Sequence, residues 1–177
     1  KFHNTDISKI CLTNGSSEAI RQVIEAFTSP NGKIVGVTPS YFMFQIYAQM
    51  YGRQFVPVEY SDDLQMPIER ILEKMTDDIQ LLILLNPNNP IGNVYTREEM
   101  EKILDYASEQ QITVLIDEAY MYFYPMTFMD YALNREHVFV TRTFSKLFSL
   151  AGCRLGYVVG WSDGIKLVQK LSTPHNT

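Results

Sequence analysis

The sequence lacks the features that mark secreted, membrane-spanning and nucleic-acid-binding proteins. Its two cysteines, Cys11 and Cys153, are too few for a disulfide framework. The longest apolar stretch, residues 81–85, is far shorter than the roughly 20 residues that a membrane helix needs. With 15 Lys and Arg against 20 Asp and Glu, the net charge is −5, and no basic cluster is present to neutralise a polyanion. We expect a cytoplasmic protein that binds neither nucleic acid nor a membrane.

Several ligand-binding signatures are also missing. The chain contains neither Gly-x-x-x-x-Gly-Lys-Ser/Thr nor Gly-x-Gly-x-x-Gly, which argues against the common nucleotide-phosphate loops. The histidines, His3, His137 and His175, have no metal-ligand spacing with the cysteines, so we predict no metal site. No repeat, low-complexity tract or Gly/Ser linker divides the chain. Residues 1–177 are therefore expected to form one domain.

Short apolar runs alternate with longer segments of helical period along most of the chain. Because the runs are apolar on both faces and are bounded by Gly, Pro or Asn, they predict buried strands of a mostly parallel sheet. The fold class is therefore α/β, with three layers and helices on both faces of the sheet. Strands are predicted at residues 10–13, 33–37, 54–58, 81–85, 113–116, 138–140 and 155–159, and helices at residues 17–27, 42–51, 68–74, 97–110 and 164–171. Ligands of such folds bind beyond the carboxyl ends of the strands.

The first strand is followed by a helix start that suits a phosphate group. Gly15 would allow a tight turn, and the backbone amides of Ser16 and Ser17 would lie at the positive end of the helix dipole. The same segment also suits ordinary capping, with serine at the N-cap and Glu18 in the first turn. The sequence of this segment leaves both interpretations open.

Two further polar segments follow strands of the predicted sheet. Residues 86–92, Asn-Pro-Asn-Asn-Pro-Ile-Gly, form a turn dense enough in Asn and Pro to hold the Asn89 amide rigidly. Asp117 terminates an apolar strand, and a buried carboxylate needs a cationic or hydrogen-bonding partner. That partner could be an arginine, or it could be a protonated ring nitrogen of a ligand. Tyr120 lies three residues later and could contact the same ligand.

The segment around Lys146 offers a nucleophile and an anion site. Hydroxyl, aromatic and aliphatic neighbours would desolvate the Lys146 amine and favour its reaction with a carbonyl carbon. Thr143, Ser145 and Arg154 could together bind a phosphate through hydroxyls and a guanidinium. A surface lysine in a serine-rich loop is the alternative interpretation of the same residues.

Taken together, these segments resemble the fold-type I aminotransferases that depend on pyridoxal 5'-phosphate (PLP), and among them they look most like the histidinol-phosphate aminotransferase family. The resemblance covers nearly the whole chain. Its motifs occur in the family's order at residues 13–19, 39–41, 86–92, 117–120, 145–146 and 150–156. A set of ordered motifs is far more specific than any one of them.

The resemblance implies a role for each candidate site residue. Lys146 would form a Schiff base with PLP and then act as general acid and base, and Asp117 would pair with the pyridine nitrogen. Asn89 and Tyr120 would bind the phenolic oxygen, and Tyr41 would stack on the ring. The remaining residues would hold the phosphate: Gly15, Ser16, Ser17, Thr143, Ser145 and Arg154.

The implied activity is transfer of an amino group between an amino acid or amino phosphate and a 2-oxo acid, in a homodimer. The family's N-terminal arm and C-terminal small domain are expected to lie outside this chain, which would then be the PLP-binding large domain. Residues 89–92 read Asn-Pro-Ile-Gly where the family has Asn-Pro-Thr-Gly, which removes a hydroxyl. Three alternatives stay open: a PLP-dependent decarboxylase of the threonine-phosphate type, a non-catalytic PLP-sensing regulator domain, and a structural α/β domain without a cofactor.

Overall fold

A seven-stranded sheet organises the chain, as seen in a computed structural model that describes residues 5–172. The strands are β1 Ile10–Asn14, β2 Lys33–Thr38, β3 Gln54–Glu59, β4 Ile79–Leu85, β5 Thr113–Asp117, β6 Val138–Thr143 and β7 Leu155–Val159. Their order across the sheet is β1-β7-β6-β5-β4-β2-β3. β7 runs antiparallel to both of its neighbours, whereas the other pairs are parallel. The prediction of a mostly parallel α/β sheet is confirmed.

The helices connect these strands and cover both faces of the sheet. They are α1 Gly15–Phe27, α2 Met43–Met50, α3 Ile68–Lys74, α4 Arg97–Glu109, α5 Met129–Asn134 and α6 Ser162–Lys170. Short 3₁₀ segments occur at Ile7–Lys9, Met121–Phe123 and Ala151–Cys153. The predicted helices are all present, with ends that differ by a few residues. α5 was not predicted, because six residues are too few to display a helical period.

Two separate apolar clusters explain why the strands are apolar on both faces. In one cluster, Leu115 of β5 packs with residues of α1, α2 and α6. In the other, its neighbour Ile116 packs with residues of α3, α4 and α5. Successive side chains of a strand point to opposite faces, so each buried strand must supply both layers. This arrangement is the predicted three-layer structure.

The topology gathers several chain segments at one edge of the sheet. β4, β5 and β6 are parallel and therefore end at the same edge, and antiparallel β7 begins there at Leu155. β1 is antiparallel to β7, so it also ends at this edge and leads directly into α1 at Gly15. All of the predicted site residues lie on turns or strand ends at this edge or close to it. Within residues 5–172, no helix is both long and apolar enough to cross a membrane.

Candidate active site

A cavity of about 330 Å³ lies at this edge of the sheet. It brings together residues from α1, β5, β6 and the loop that precedes β7, which are distant in sequence. All predicted site residues except Gly15 and Asn89 line it, and those that do are Ser16, Ser17, Tyr41, Asp117, Tyr120, Thr143, Ser145, Lys146 and Arg154. The other residues that line the cavity are Leu85, Ala119 and Ala151.

One end of the cavity combines the start of α1 with a guanidinium. The helix begins at Gly15 and its N-cap is Asn14, so the prediction of a serine N-cap is wrong. Gly15 has φ +75, and a Cβ at this position would lie 2.8 Å from Arg154 Nη2. A Cβ on Gly156 would lie 2.5 Å from the carbonyl carbon of Gly15. Glycine at both positions therefore lets Arg154 and the backbone of β7 approach the first turn of α1 closely.

Two hydroxyl groups face the same end of the cavity. The Thr143 hydroxyl donates a hydrogen bond to Ser145 Oγ at 2.9 Å and accepts one from the Ser145 backbone amide at 3.1 Å. Arg154 is exposed and donates hydrogen bonds to two backbone carbonyls, those of Ala151 at 3.2 Å and Asn14 at 3.4 Å. A cation, hydroxyls and the positive end of a helix dipole are the groups that bind phosphates.

A buried carboxylate lies at another side of the cavity. Asp117 is 2% exposed, and its Oδ1 accepts hydrogen bonds from Thr141 Oγ1 at 2.9 Å and from the Ala119 amide at 3.1 Å. Burial raises the pKa of Asp117 from its ordinary value of 3.8 to about 7, although both hydrogen bonds and the charge of Lys146 oppose that rise. A cationic group in the cavity would hold this residue as a carboxylate.

The arginine partner considered for Asp117 pairs instead with the next residue. Glu118 Oε2 accepts hydrogen bonds from Arg142 Nε at 2.9 Å and from Arg142 Nη2 at 2.8 Å. Both side chains are almost fully buried. The sequence analysis did not predict this pair. Two signals for it were present: two consecutive carboxylates follow the apolar run 113–116, and Arg142 follows the apolar run 138–140.

Lys146 reaches the cavity from an exposed loop. Its Nζ lies 5.2 Å from the centre of the Tyr120 ring. The expectation that neighbouring side chains would desolvate Lys146 is wrong for this chain, because Lys146 and the following residues 147–150 are all exposed. Leu147 and Phe148 are 48% and 40% exposed, so the apolar neighbours named in the sequence do not enclose the amine.

The Asn-Pro turn presents Asn89 to the phenol of Tyr120. Asn89 Nδ2 donates a hydrogen bond to Tyr120 Oη at 3.3 Å. The turn is anchored by the preceding residue, Asn88, which is 5% exposed. Asn88 accepts from Ser40 Oγ at 2.6 Å and donates to Tyr60 Oη at 3.1 Å. Asn88 therefore contributes, through its side-chain hydrogen bonds, to the rigidity that the Asn and Pro content of the turn predicts.

Tyr41 follows directly after Ser40 and lines the cavity. It is half-buried, and burial raises the pKa of its phenol. Its ring makes an edge contact with that of Phe44, with 5.4 Å between centroids. The ring is thus held by packing at one edge and borders the cavity, as a stacking residue requires.

Within residues 5–172, no cluster of three or more His, Cys, Asp and Glu side chains has the geometry of a metal site. His137 lies at the start of β6, at the opposite edge of the sheet from the cavity, and its ring packs against Trp161. His3 and His175 lie outside the described residues. The polar groups that do line the cavity are those of lysine, arginine, aspartate, tyrosine, serine and threonine.

Comparisons with known proteins agree on one family. The family model for aminotransferase class I and II matches residues 1–177. Histidinol-phosphate aminotransferase from Thermoanaerobacter pseudethanolicus is 33% identical over 172 residues, which is 96% of this chain and 48% of the relative. The crystal structure of the histidinol-phosphate aminotransferase from Clostridium acetobutylicum has a TM-score of 0.86 and 30% identity, covering 95% of this chain and 50% of that one.

A further solved structure shows the same fold at lower identity. It is the histidinol-phosphate aminotransferase from Sinorhizobium meliloti in complex with pyridoxal-5'-phosphate, with a TM-score of 0.87 and 24% identity. It covers 96% of this chain and 46% of its own chain. The present chain thus spans about half the length of the relatives that it matches.

Proposed function

The chain belongs to the class I and II aminotransferase family, and from this premise we propose that the full-length protein is a PLP-dependent aminotransferase. Its substrates would be a small amino donor, either an amino acid or an amino phosphate resembling histidinol phosphate, and a 2-oxo acid acceptor. The observation that carries the proposal is one cavity that contains Lys146, Asp117 and Arg154. In the same proposal, residues 1–177 form the cofactor-binding large domain, and the whole protein is a cytoplasmic homodimer.

The residues around the cavity fit PLP at both of its polar ends. Because residue 15 has no Cβ, Arg154 lies directly against the first turn of α1, and a phosphate at this end of the cavity would meet both the guanidinium and the first amides of the helix. Hydroxyls of Thr143 and Ser145 add further donors. At the other end, the buried Asp117 would meet the protonated ring nitrogen, the kind of cation that would lower its raised pKa again.

When bound, PLP supplies a carbonyl carbon that accepts the amino group and a conjugated ring that withdraws electrons. Lys146 would anchor the cofactor covalently through Nζ and afterwards carry the proton between the reacting carbon atoms. Its Nζ lies 5.2 Å from the centre of the Tyr120 ring, and both residues line the cavity in which the substrate would bind. The Asp117 carboxylate would keep the ring nitrogen protonated, and the ring would therefore keep its electron-withdrawing character.

The remaining residues orient the ring. Asn89 and Tyr120 are within hydrogen-bond distance of each other, so one oxygen of a ligand could accept from both. Tyr41 would cover one face of the ring. The histidinol-phosphate aminotransferases among the relatives support amino transfer rather than decarboxylation. No observation on this chain favours a regulator domain.

Reduction of the bound cofactor tests the proposal. Full-length protein incubated with PLP should develop a visible absorption band, and borohydride should abolish the band and fix the cofactor on Lys146, as mass spectrometry of peptides would detect. Lys146→Ala should lose both signals, whereas Lys166→Ala, at an exposed lysine of α6, should behave like the parent. Labelling that persists in Lys146→Ala would refute the assignment.

Substrate class needs a separate measurement. Parent protein should transfer an amino group from histidinol phosphate or a related amino donor to a 2-oxo acid, with the product identified by chromatography. Threonine phosphate serves as the matched probe, because release of carbon dioxide from it would indicate decarboxylase activity. Decarboxylation without amino transfer would overturn the proposed reaction and leave the cofactor assignment intact.

A further inference from the structure

The buried Glu118–Arg142 pair has no place in the chemistry proposed above. Both side chains are nearly inaccessible, and neither lines the cavity. Glu118 is nevertheless surrounded by donors: besides the two nitrogens of Arg142, it accepts from Thr127 Oγ1 at 2.9 Å and from the Phe128 amide at 2.6 Å. Arg142 Nη2 also donates to Thr127 Oγ1, at 2.6 Å. The network ties the end of β5, the end of β6 and the segment before α5 together.

Each member of the pair is a direct chain neighbour of cavity residues. Glu118 follows Asp117, and Arg142 lies between Thr141, which binds Asp117, and Thr143, which lines the cavity. The backbone adds two links, because the Glu118 amide donates to the Thr141 carbonyl at 2.9 Å and the Glu118 carbonyl accepts from the amide of Met121 at 3.1 Å. The second link closes the turn that contains Tyr120.

Stability alone does not explain such a pair. Two charges lose much hydration when they are buried, and apolar replacements of similar volume are often at least as stable. A guanidinium does offer a fixed geometry, since its planar fork directs two donors at once, and here Nε and Nη2 both donate to Oε2 of Glu118. These two bonds fix Glu118, which directly follows β5, relative to Arg142 of β6.

We propose that Arg142 and Glu118 are positioning residues which, together with the Thr127 hydroxyl that bridges them, hold Asp117 and Thr143 at the separation that PLP requires. The inference rests on the proposed function for its ligand, but its geometry concerns this chain alone. The pair acts from the face of the sheet opposite the cavity, because successive residues of a strand point to opposite sides. It needs no contact with cofactor or substrate.

Arg142→Lys in the full-length protein separates geometry from charge. Lysine keeps the positive charge but lacks the fork. We expect the dissociation constant for PLP to rise about tenfold, a typical effect of losing a residue that orients a ligating group. Arg135→Lys is the matched control, because Arg135 pairs with Asp105 on the surface. It should leave PLP binding unchanged.

A second measurement does not depend on the cofactor. The Asp117 carboxyl can be titrated by carbon NMR in cofactor-free protein. Arg142→Lys keeps all of the charges that act on Asp117. These are the charges of Glu118, of Lys146 and of the Tyr41 phenol when it is ionised. The hydrogen bond from Thr141 lowers the pKa of Asp117, so a displaced Asp117 should titrate at a higher pH than in the parent.

The outcomes distinguish this inference from the proposed function. Parent-like PLP affinity together with a parent-like Asp117 titration in Arg142→Lys would overturn the positioning role, even if the parent binds PLP well. A parent protein that binds no PLP would instead refute the proposed function, and the titration would still decide whether Asp117 is positioned by the pair.

Should Arg142→Lys fail to fold, Thr127→Val provides the same test with both charges in place. It removes the hydroxyl that bridges Arg142 and Glu118 and that also accepts from the Met129 amide at 3.1 Å. We expect about threefold weaker PLP binding, in line with the loss of a single hydrogen bond, and a titration of Asp117 shifted in the same direction. A folded Thr127→Val protein with parent values in both measurements would overturn the inference.

Discussion

Asp117→Asn should make the cofactor-free protein more stable at neutral and alkaline pH. The pKa of Asp117 is raised from 3.8 to about 7 because burial opposes its charge. An acid with a raised folded-state pKa lowers the stability of the folded state above its unfolded pKa. At about 1.4 kcal/mol for each pH unit, the shift corresponds to a penalty of about 4 kcal/mol. Asparagine carries no charge and can still accept the hydrogen bonds of Thr141 and Ala119.

The sign of the pH dependence follows from the protons bound in each state. Below about pH 4 both states hold the proton on Asp117, and there is no penalty. Between about pH 4 and pH 7 the unfolded chain releases it while the folded protein keeps it, so the free energy of unfolding falls as pH rises. Above pH 7 the penalty is complete. The advantage of Asp117→Asn should therefore grow from about pH 4 to pH 7 and then level off.

Urea unfolding of the full-length protein without PLP, at one protein concentration and at pH values from 5 to 9, measures this difference. Asp62→Asn, at an exposed carboxylate, is the matched control and should follow the parent at every pH. The same Asp117→Asn protein should bind PLP less tightly, since it lacks the carboxylate for the ring nitrogen. A stability difference that is constant from pH 5 to pH 9, or a parent that is the more stable at pH 8, would refute the reasoning.

Three further substitutions test the site and the apolar core of the sheet. Gly15→Ala should destabilise the protein by about 1–3 kcal/mol in urea unfolding, because φ is +75 and the added Cβ meets Arg154. An unchanged unfolding midpoint would contradict the close approach of Arg154 to residue 15. Tyr120→Phe should weaken PLP binding by about tenfold in an absorbance titration, since a hydroxyl beside Asn89 is lost. Parent-like affinity would exclude a role of the Tyr120 hydroxyl in cofactor binding. Leu84→Ala should cost about 2–5 kcal/mol of unfolding free energy, because Leu84 is 0% exposed.

The strands could be predicted because their composition is decided by burial on both faces. β4 and β5 consist mainly of Leu, Ile and Val, since each lies between two helical layers. β6 was predicted three residues too short, because Thr141, Arg142 and Thr143 are polar and yet belong to the strand. Their hydrogen-bonding and charge partners come from other parts of the chain, and an isolated segment does not display them.

The candidate site was predictable to the extent that it depends on turns at one edge of a parallel sheet. Lys146 and Asp117 come together in this way. The contact of Arg154 with the start of α1 joins residues 140 positions apart and requires glycine at residue 15, which the sequence suggests only as a turn. The exposure of Lys146 also depends on what covers its loop, and local composition does not determine that.

Strand geometry explains why the consecutive carboxylates Asp117 and Glu118 have different surroundings. Ile116 pairs with Val140 and Asp117 pairs with Thr141, so the register between β5 and β6 is an offset of 24 residues. The side-chain bonds keep this offset, because Thr141 binds Asp117 and Arg142 binds Glu118. Since neighbouring residues face opposite sides of a sheet, only one of the two carboxylates can border the cavity, and the other must be neutralised beneath it. A register derived from the apolar pairs alone would have identified Arg142 as that partner, leaving Asp117 as the carboxylate available to a ligand.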